Sequence, residues 1–101
     1  MTFDELAEAL LADPRVSEGK MFGMACLKTG GKVFAGDWKG GLTVKVQRER
    51  VQEIVAAGEG EPFDPGMGRV MKEWVLLGTA AEWVPLAREA LEFVASGAGK
   101  A

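Results

Sequence analysis

The side chains able to do covalent or acid–base chemistry are few. The 101-residue chain has one cysteine, Cys26, fifteen Asp and Glu, and neither histidine nor tyrosine. Without histidine there is no Ser-His-Asp triad, no Cys-His pair and no histidine-containing metal site. One cysteine excludes an internal disulfide and a CxxC site. A reactive Cys26 would need a helix N-terminus or a nearby cation to lower its pKa. It falls within a strand, two residues from Lys28, and reads as a packing residue. Gly58, Gly60, Gly66 and Gly68 match neither the GxxxxGK[ST] nor the GxGxxG phosphate-binding pattern. Gly66-Met67-Gly68 leads into a strand and not a helix, so these glycines read as turns. Most acids fall on helix faces or in a polar loop, with Glu73 beside Trp74 the exception. The chain therefore reads as non-enzymatic, with no cofactor and no metal.

What remains is surface chemistry. The net charge is −3, but Gly19 to Arg50 carries +5 and the rest −8. A basic middle between acidic ends suits internal attraction or an acidic partner. Trp38, Trp74 and Trp83 with Lys39, Lys45 and Arg69 would be a stacking and phosphate surface for single-stranded nucleic acid. Trp74 and Trp83 read as core, and Trp38, at a loop tip beside Lys39, as partly exposed. Asp4, Glu5 and Glu8 are the wrong start for a signal peptide. No apolar run approaches the roughly 20 residues of a membrane span. With the lone thiol, these features make the cytoplasm the expected compartment, with no membrane partner.

The elements that position these residues follow from periodicity. Phe3 to Asp13 is a helix with Phe3, Leu6, Ala7, Leu10 and Leu11 on one face. Thr2 and Glu5 have the spacing of a capping box, Met1 and Leu6 that of a hydrophobic staple, and Pro14 ends the helix. Lys20–Lys28, Val33–Asp37 and Leu42–Val46 form a meander turned by Gly30-Gly31 and by Trp38-Lys39-Gly40-Gly41. In its last strand Leu42, Val44 and Val46 face the core while Thr43 and Lys45 face out. Arg48–Ala57 is a helix stopped by Gly58, with Val51, Ile54 and Val55 inward. A turn-rich loop follows, with a short strand at Pro62-Phe63 and a strand at Arg69–Leu77. The last helix runs from Glu82 to Ser96, with Thr79 and Glu82 at capping-box spacing and Pro85 in its first turn. The order α-β-β-β-α-(β)-β-α implies an α+β fold, an antiparallel sheet with helices on one side. Residues 1–96 form one domain and 97–101 a flexible tail.

A two-residue turn at Gly30-Gly31 sets Leu27 opposite Phe34 and Cys26 opposite Ala35. Met21, Ala25, Leu27 and Phe34 then face the core. Phe22, Met24, Cys26, Val33 and Ala35 share the other face with Lys28, Thr43 and Lys45. That face is half apolar, more than a solvated sheet face needs. Either a helix or the long loop covers it, or it is an interface. A homodimer through this face or its edge is the expected assembly. The candidate interaction surface is Phe22, Met24, Lys28, Lys32, Trp38, Lys39, Thr43 and Lys45. The leading expectation is a protein-binding module, with nucleic acid as the second class of partner.

Several stretches, in order, resemble the N-terminal domain of the TfoX/Sxy family. They are Met21-Phe22-Gly23, Leu27, Gly31-Lys32-Val33-Phe34-Ala35, Leu42-Thr43-Val44-Lys45-Val46, Glu61-Pro62-Phe63, Gly66-Met67-Gly68-Arg69 and Glu73-Trp74. The resemblance implies a compact α+β fold of the secretion-chaperone-like kind and a role like that of TfoX, a regulator of natural competence genes. Gly30 to Phe34 and Gly41 to Lys45 also resemble the MmcQ/YjbR family, whose fold is similar. Neither resemblance brings catalytic residues.

Overall fold

The computed structural model describes residues 1–66, 68, 70–79 and 81–97. Among these the elements run α1 (Phe3–Leu10), β1 (Val16–Met21), β2 (Met24–Thr29), β3 (Lys32–Trp38), β4 (Gly41–Lys45), α2 (Arg48–Ala56), β5 (Gly60–Phe63), β6 (Met71–Leu77) and α3 (Trp83–Ala95). The strands make one antiparallel sheet in the order β1-β2-β3-β4-β6-β5. The α+β class with helices on one side holds. No described helix is long and apolar enough to cross a membrane. The expected tail lies outside the described residues apart from Gly97.

The meander has one strand more than the sequence suggested. Lys20–Lys28 is not continuous: the chain reverses at Phe22-Gly23, pairing Met21 with Met24. All three meander turns place both central residues at positive φ: 53° and 76° at Phe22-Gly23, 59° and 79° at Gly30-Gly31, 51° and 88° at Lys39-Gly40. These are the angles of two-residue turns whose twist matches the flanking strands. The facing of Leu27 by Phe34 and of Cys26 by Ala35 is also corrected. Leu27 pairs with Ala35, Cys26 with Gly36 and Lys28 with Val33. Phe34 is thus an extra residue on β3, a bulge that lets Phe34 and Ala35 both enter the core.

That core lies between the sheet and all three helices. Leu27, Phe34, Ala35, Leu42, Val44, Val46, Val75 and Leu77 meet Leu6 and Leu10 of α1, Val51 and Ile54 of α2, and Trp83, Leu86, Ala87, Ala90, Leu91 and Val94 of α3. The capping box at Thr2 and Glu5 forms as expected. Met1 stays exposed, so no staple closes over Leu6. The helix stops at Leu10 and not Asp13, because the Asp13 carboxylate instead accepts the Arg15 N–H at 2.9 Å and its carbonyl that of Val16 at 3.0 Å. Gly58, at φ 76°, ends α2: its N–H reaches Val55 O and that of Glu59 reaches Ile54 O, the paired bonds of a Schellman stop. Thr79 does not cap α3. Glu82 holds the cap position without a side-chain hydrogen bond, and Pro85 sits in the first turn, where no N–H is needed.

Candidate interaction surface

The sheet face opposite the helices is built from one transverse row. Gly19, Cys26, Gly36, Thr43, Leu76 and Glu61 are successive partners across all six strands. The row is low at its centre because Gly36 lacks a side chain. A Cβ there would lie 3.0 Å from Met21 Cε and 3.2 Å from Thr43 Oγ1. Met21 therefore belongs to this face and not to the core face, a consequence of its pairing with Met24 across the unexpected turn.

Two residues of this row are sealed: Thr43, expected to face solvent, and Cys26, expected as a packing residue. Thr43 is 0% exposed, and its hydroxyl donates to Gly36 O at 3.0 Å. It is no contact residue: a buried hydroxyl keeps its place because it is hydrogen-bonded. Cys26 is 1% exposed, and burial pushes its thiol pKa up despite the opposing effect of Lys28. That is the reverse of what a nucleophilic thiol needs.

Aromatic side chains cover one end of the face. Phe63 of β5 is buried, yet it stands outside the main core. Its ring centroid is 5.1 Å from Trp38 and 6.4 Å from Phe22, and Phe22 and Trp38 are 5.9 Å apart. These are the separations at which tilted and edge-to-face aromatic pairs attract. Lys39 Nζ lies 5.2 Å from the Trp38 centroid, within cation–π range. Trp38 is half-buried, as expected, while Phe22 is 50% exposed. Phe22 also sits at φ 53°, where a non-glycine residue is strained by roughly 1 kcal/mol or more. Strain held at an exposed aromatic turn is a mark of a functional position.

The ionic pattern separates this face from the helices. Arg15 bridges Asp13 at 2.8 Å and Glu92 at 2.7 Å, holding Asp13 down to about 2 and Glu92 below its usual range. Arg50 meets Glu89 at 2.9 Å and Glu53 at 3.3 Å. Lys45 stands 4.0 Å from Glu73. Lys20, Lys28, Lys32 and Lys39 make no ion pair among the described residues.

The candidates therefore divide. Phe22, Trp38 and Lys39 come together at the turn end. Met24 and Lys28 lie on the same face, half-buried. Lys32 is exposed at the opposite turn, and Lys45 borders a separate groove of about 770 Å³ with Arg48, Lys72, Trp74, Val70 and Phe93. Sequence reasoning missed Phe63 as part of the site and Phe93 as a wall of that groove. Glu61-Pro62-Phe63 stands out in the sequence as a short strand at Pro62-Phe63 and as a fragment of a family pattern, with no sign of its contact to Trp38. Arg69 lies outside the described residues.

The family model described as the TfoX N-terminal domain matches residues 6–94, nearly the whole chain. The further likeness to the MmcQ/YjbR family is not shown. No curated protein and no solved structure matches the chain.

Proposed function

The chain belongs to the TfoX N-terminal domain family, and from that premise we propose that it is a small cytoplasmic, non-enzymatic module that binds an acidic segment of a protein partner through the Phe22–Trp38–Lys39 end of its meander. The observation that carries this reading is the exposed, strained Phe22 ring resting on Trp38 and Phe63, with Lys39 over Trp38 and in no ion pair among the described residues. An aromatic anchor with a cation at its side is the chemistry that recognises an acidic segment with an apolar side chain. The sealed, protonated Cys26 supports a non-catalytic role. A regulatory role rests on family membership, and cytoplasmic residence on the lone thiol.

Lys20, Lys28, Lys32 and Lys39, in no ion pair among the described residues, would also suit nucleic-acid phosphates. Base stacking is less well served, because Lys39 and the neighbouring phenyl rings already pack on Trp38. Fluorescence anisotropy decides between the two. A labelled Asp/Glu-rich peptide with one Leu should bind at low salt, weaken at high salt, and be lost with Lys39→Glu or Phe22→Asn. Tighter binding of a labelled oligothymidine would favour nucleic acid. Binding of neither at low salt would overturn both.

A further inference from the structure

We infer that two copies of this chain pair β1 with β1, antiparallel about Gly19, into one continuous sheet. The sheet has two edges, β1 and β5. An open edge presents unpaired N–H and C=O groups, and proteins blunt edges that must stay single. The β5 edge is blunted: it has four residues and contains Pro62, which cannot donate. The β1 edge is longer and free of proline: it has six residues, Val16-Ser-Glu-Gly-Lys-Met21, and its only charges are the opposite pair Glu18 and Lys20. Among the described residues its one backbone hydrogen bond outside the ladder with β2 is Val16 N–H to Asp13 O. Ser17, Glu18 and Lys20 are exposed, and neither charge is in an ion pair among the described residues.

The occupant follows from the order of charges. Glu18 pairs with Leu27 and Lys20 with Ala25 across the ladder with β2, so both stand on the helix side of the sheet. A two-fold axis at Gly19 sets Glu18 opposite Lys20 of the partner, and Lys20 opposite the partner's Glu18. Ser17 then meets Met21 of the partner. Moving the axis one residue either way puts Glu18 against Glu18 or Lys20 against Lys20. A parallel in-register pairing does the same. Only the Gly19-centred register joins opposite charges twice, and directly opposed charges set strand register. The contact is isologous and closes at two copies. The expectation of a homodimer through the second sheet face or its edge thus narrows to the edge. This is independent of the partner-binding end at Phe22, Trp38 and Lys39.

Sedimentation velocity of the full chain over a concentration series tests it. Wild type should dimerise. Glu18→Lys and Lys20→Glu each turn both attractive pairs repulsive and should weaken the dimer roughly tenfold or more. The double swap Glu18→Lys/Lys20→Glu should restore it. Mixing the two single variants should give a one-to-one heterodimer, since one strand then offers two lysines and the other two glutamates. Circular dichroism confirms that each variant is folded. A monomeric wild type at high concentration, unchanged dimers in both single variants, or folded partners that fail to associate on mixing would overturn the proposal.

Discussion

Replacing Phe63 by alanine separates a structural aromatic from a functional one. Phe63 is 1% exposed, and truncating a buried Phe costs about 3–5 kcal/mol. The half-exposed Phe22 and half-buried Trp38 rings that pack on it can partly close the vacated space, so we expect the lower end, about 3 kcal/mol. For a chain of 101 residues that corresponds to a fall in Tm of roughly 12–24 °C. Phe22→Asn is the matched control. Half-exposed Phe22 would lose about 1 kcal/mol of burial. It would regain a similar amount, about 1 kcal/mol, from relief of its positive φ, and Asn-Gly is a favoured pair for this turn. Thermal and urea unfolding followed by far-UV circular dichroism should show Phe63→Ala strongly destabilised and Phe22→Asn near wild type. A Phe63→Ala protein within about 1 kcal/mol of wild type would refute the covered-face account. So would a Phe22→Asn protein that loses as much as Phe63→Ala.

Three further outcomes follow from the same geometry. Cys26 should resist a thiol reagent at neutral pH in the folded protein and react fully in urea. Because burial raises its pKa, the stability its neutral thiol supports is present below the ordinary value of 9.0 and is lost as pH rises through the folded value. The Asp13 carboxyl should titrate near 2 in a carbon-detected NMR series, so its pairing with Arg15 is complete above 3.8 and lost as pH falls through about 2. Arg15→Gln should move it up toward the ordinary range, with the residue-15 backbone N–H still holding it partly down, and an unmoved Asp13 would contradict the pairing. Thr43→Val keeps the side-chain shape but removes the donor to Gly36 O, and should cost about 1 kcal/mol in urea unfolding. An unchanged midpoint would mean that the bond adds nothing.

What could be read in the sequence was local. The face periodicity of α3, the Gly30-Gly31 turn and the Gly58 stop each depend on neighbours within a few residues. The misses have particular causes. Phe22-Gly23 hides a turn because phenylalanine is a poor residue at positive φ, so its strain is visible only in the backbone. Val16–Met21 has little apolar alternation because it is an edge strand, exposed where β2, β3 and β4 are covered. The Phe34 bulge breaks the two-residue period, so faces assigned by alternation come out wrong for Ala35. Thr43 looked like a solvent-facing residue of its strand, but its hydroxyl finds a backbone carbonyl on β3. The candidate site was half legible: Trp38 and Lys39 stood out at a turn, and Phe22 only as part of an apolar face. Phe63 reaches them from far along the chain, and no local pattern reports such a contact.

The central claim, that the meander's aromatic end binds an acidic segment, is tested most directly by the three indole N–H signals. Trp38 lies in the site, Trp74 lines the separate groove, and Trp83 donates its Nε1–H to Gly78 O at 3.0 Å. Titration of ¹⁵N-labelled protein with the Asp/Glu-rich peptide should move the Trp38 indole saturably and leave Trp83 in place. A still Trp38 indole with the peptide bound, or a response confined to Trp74, would contradict the account.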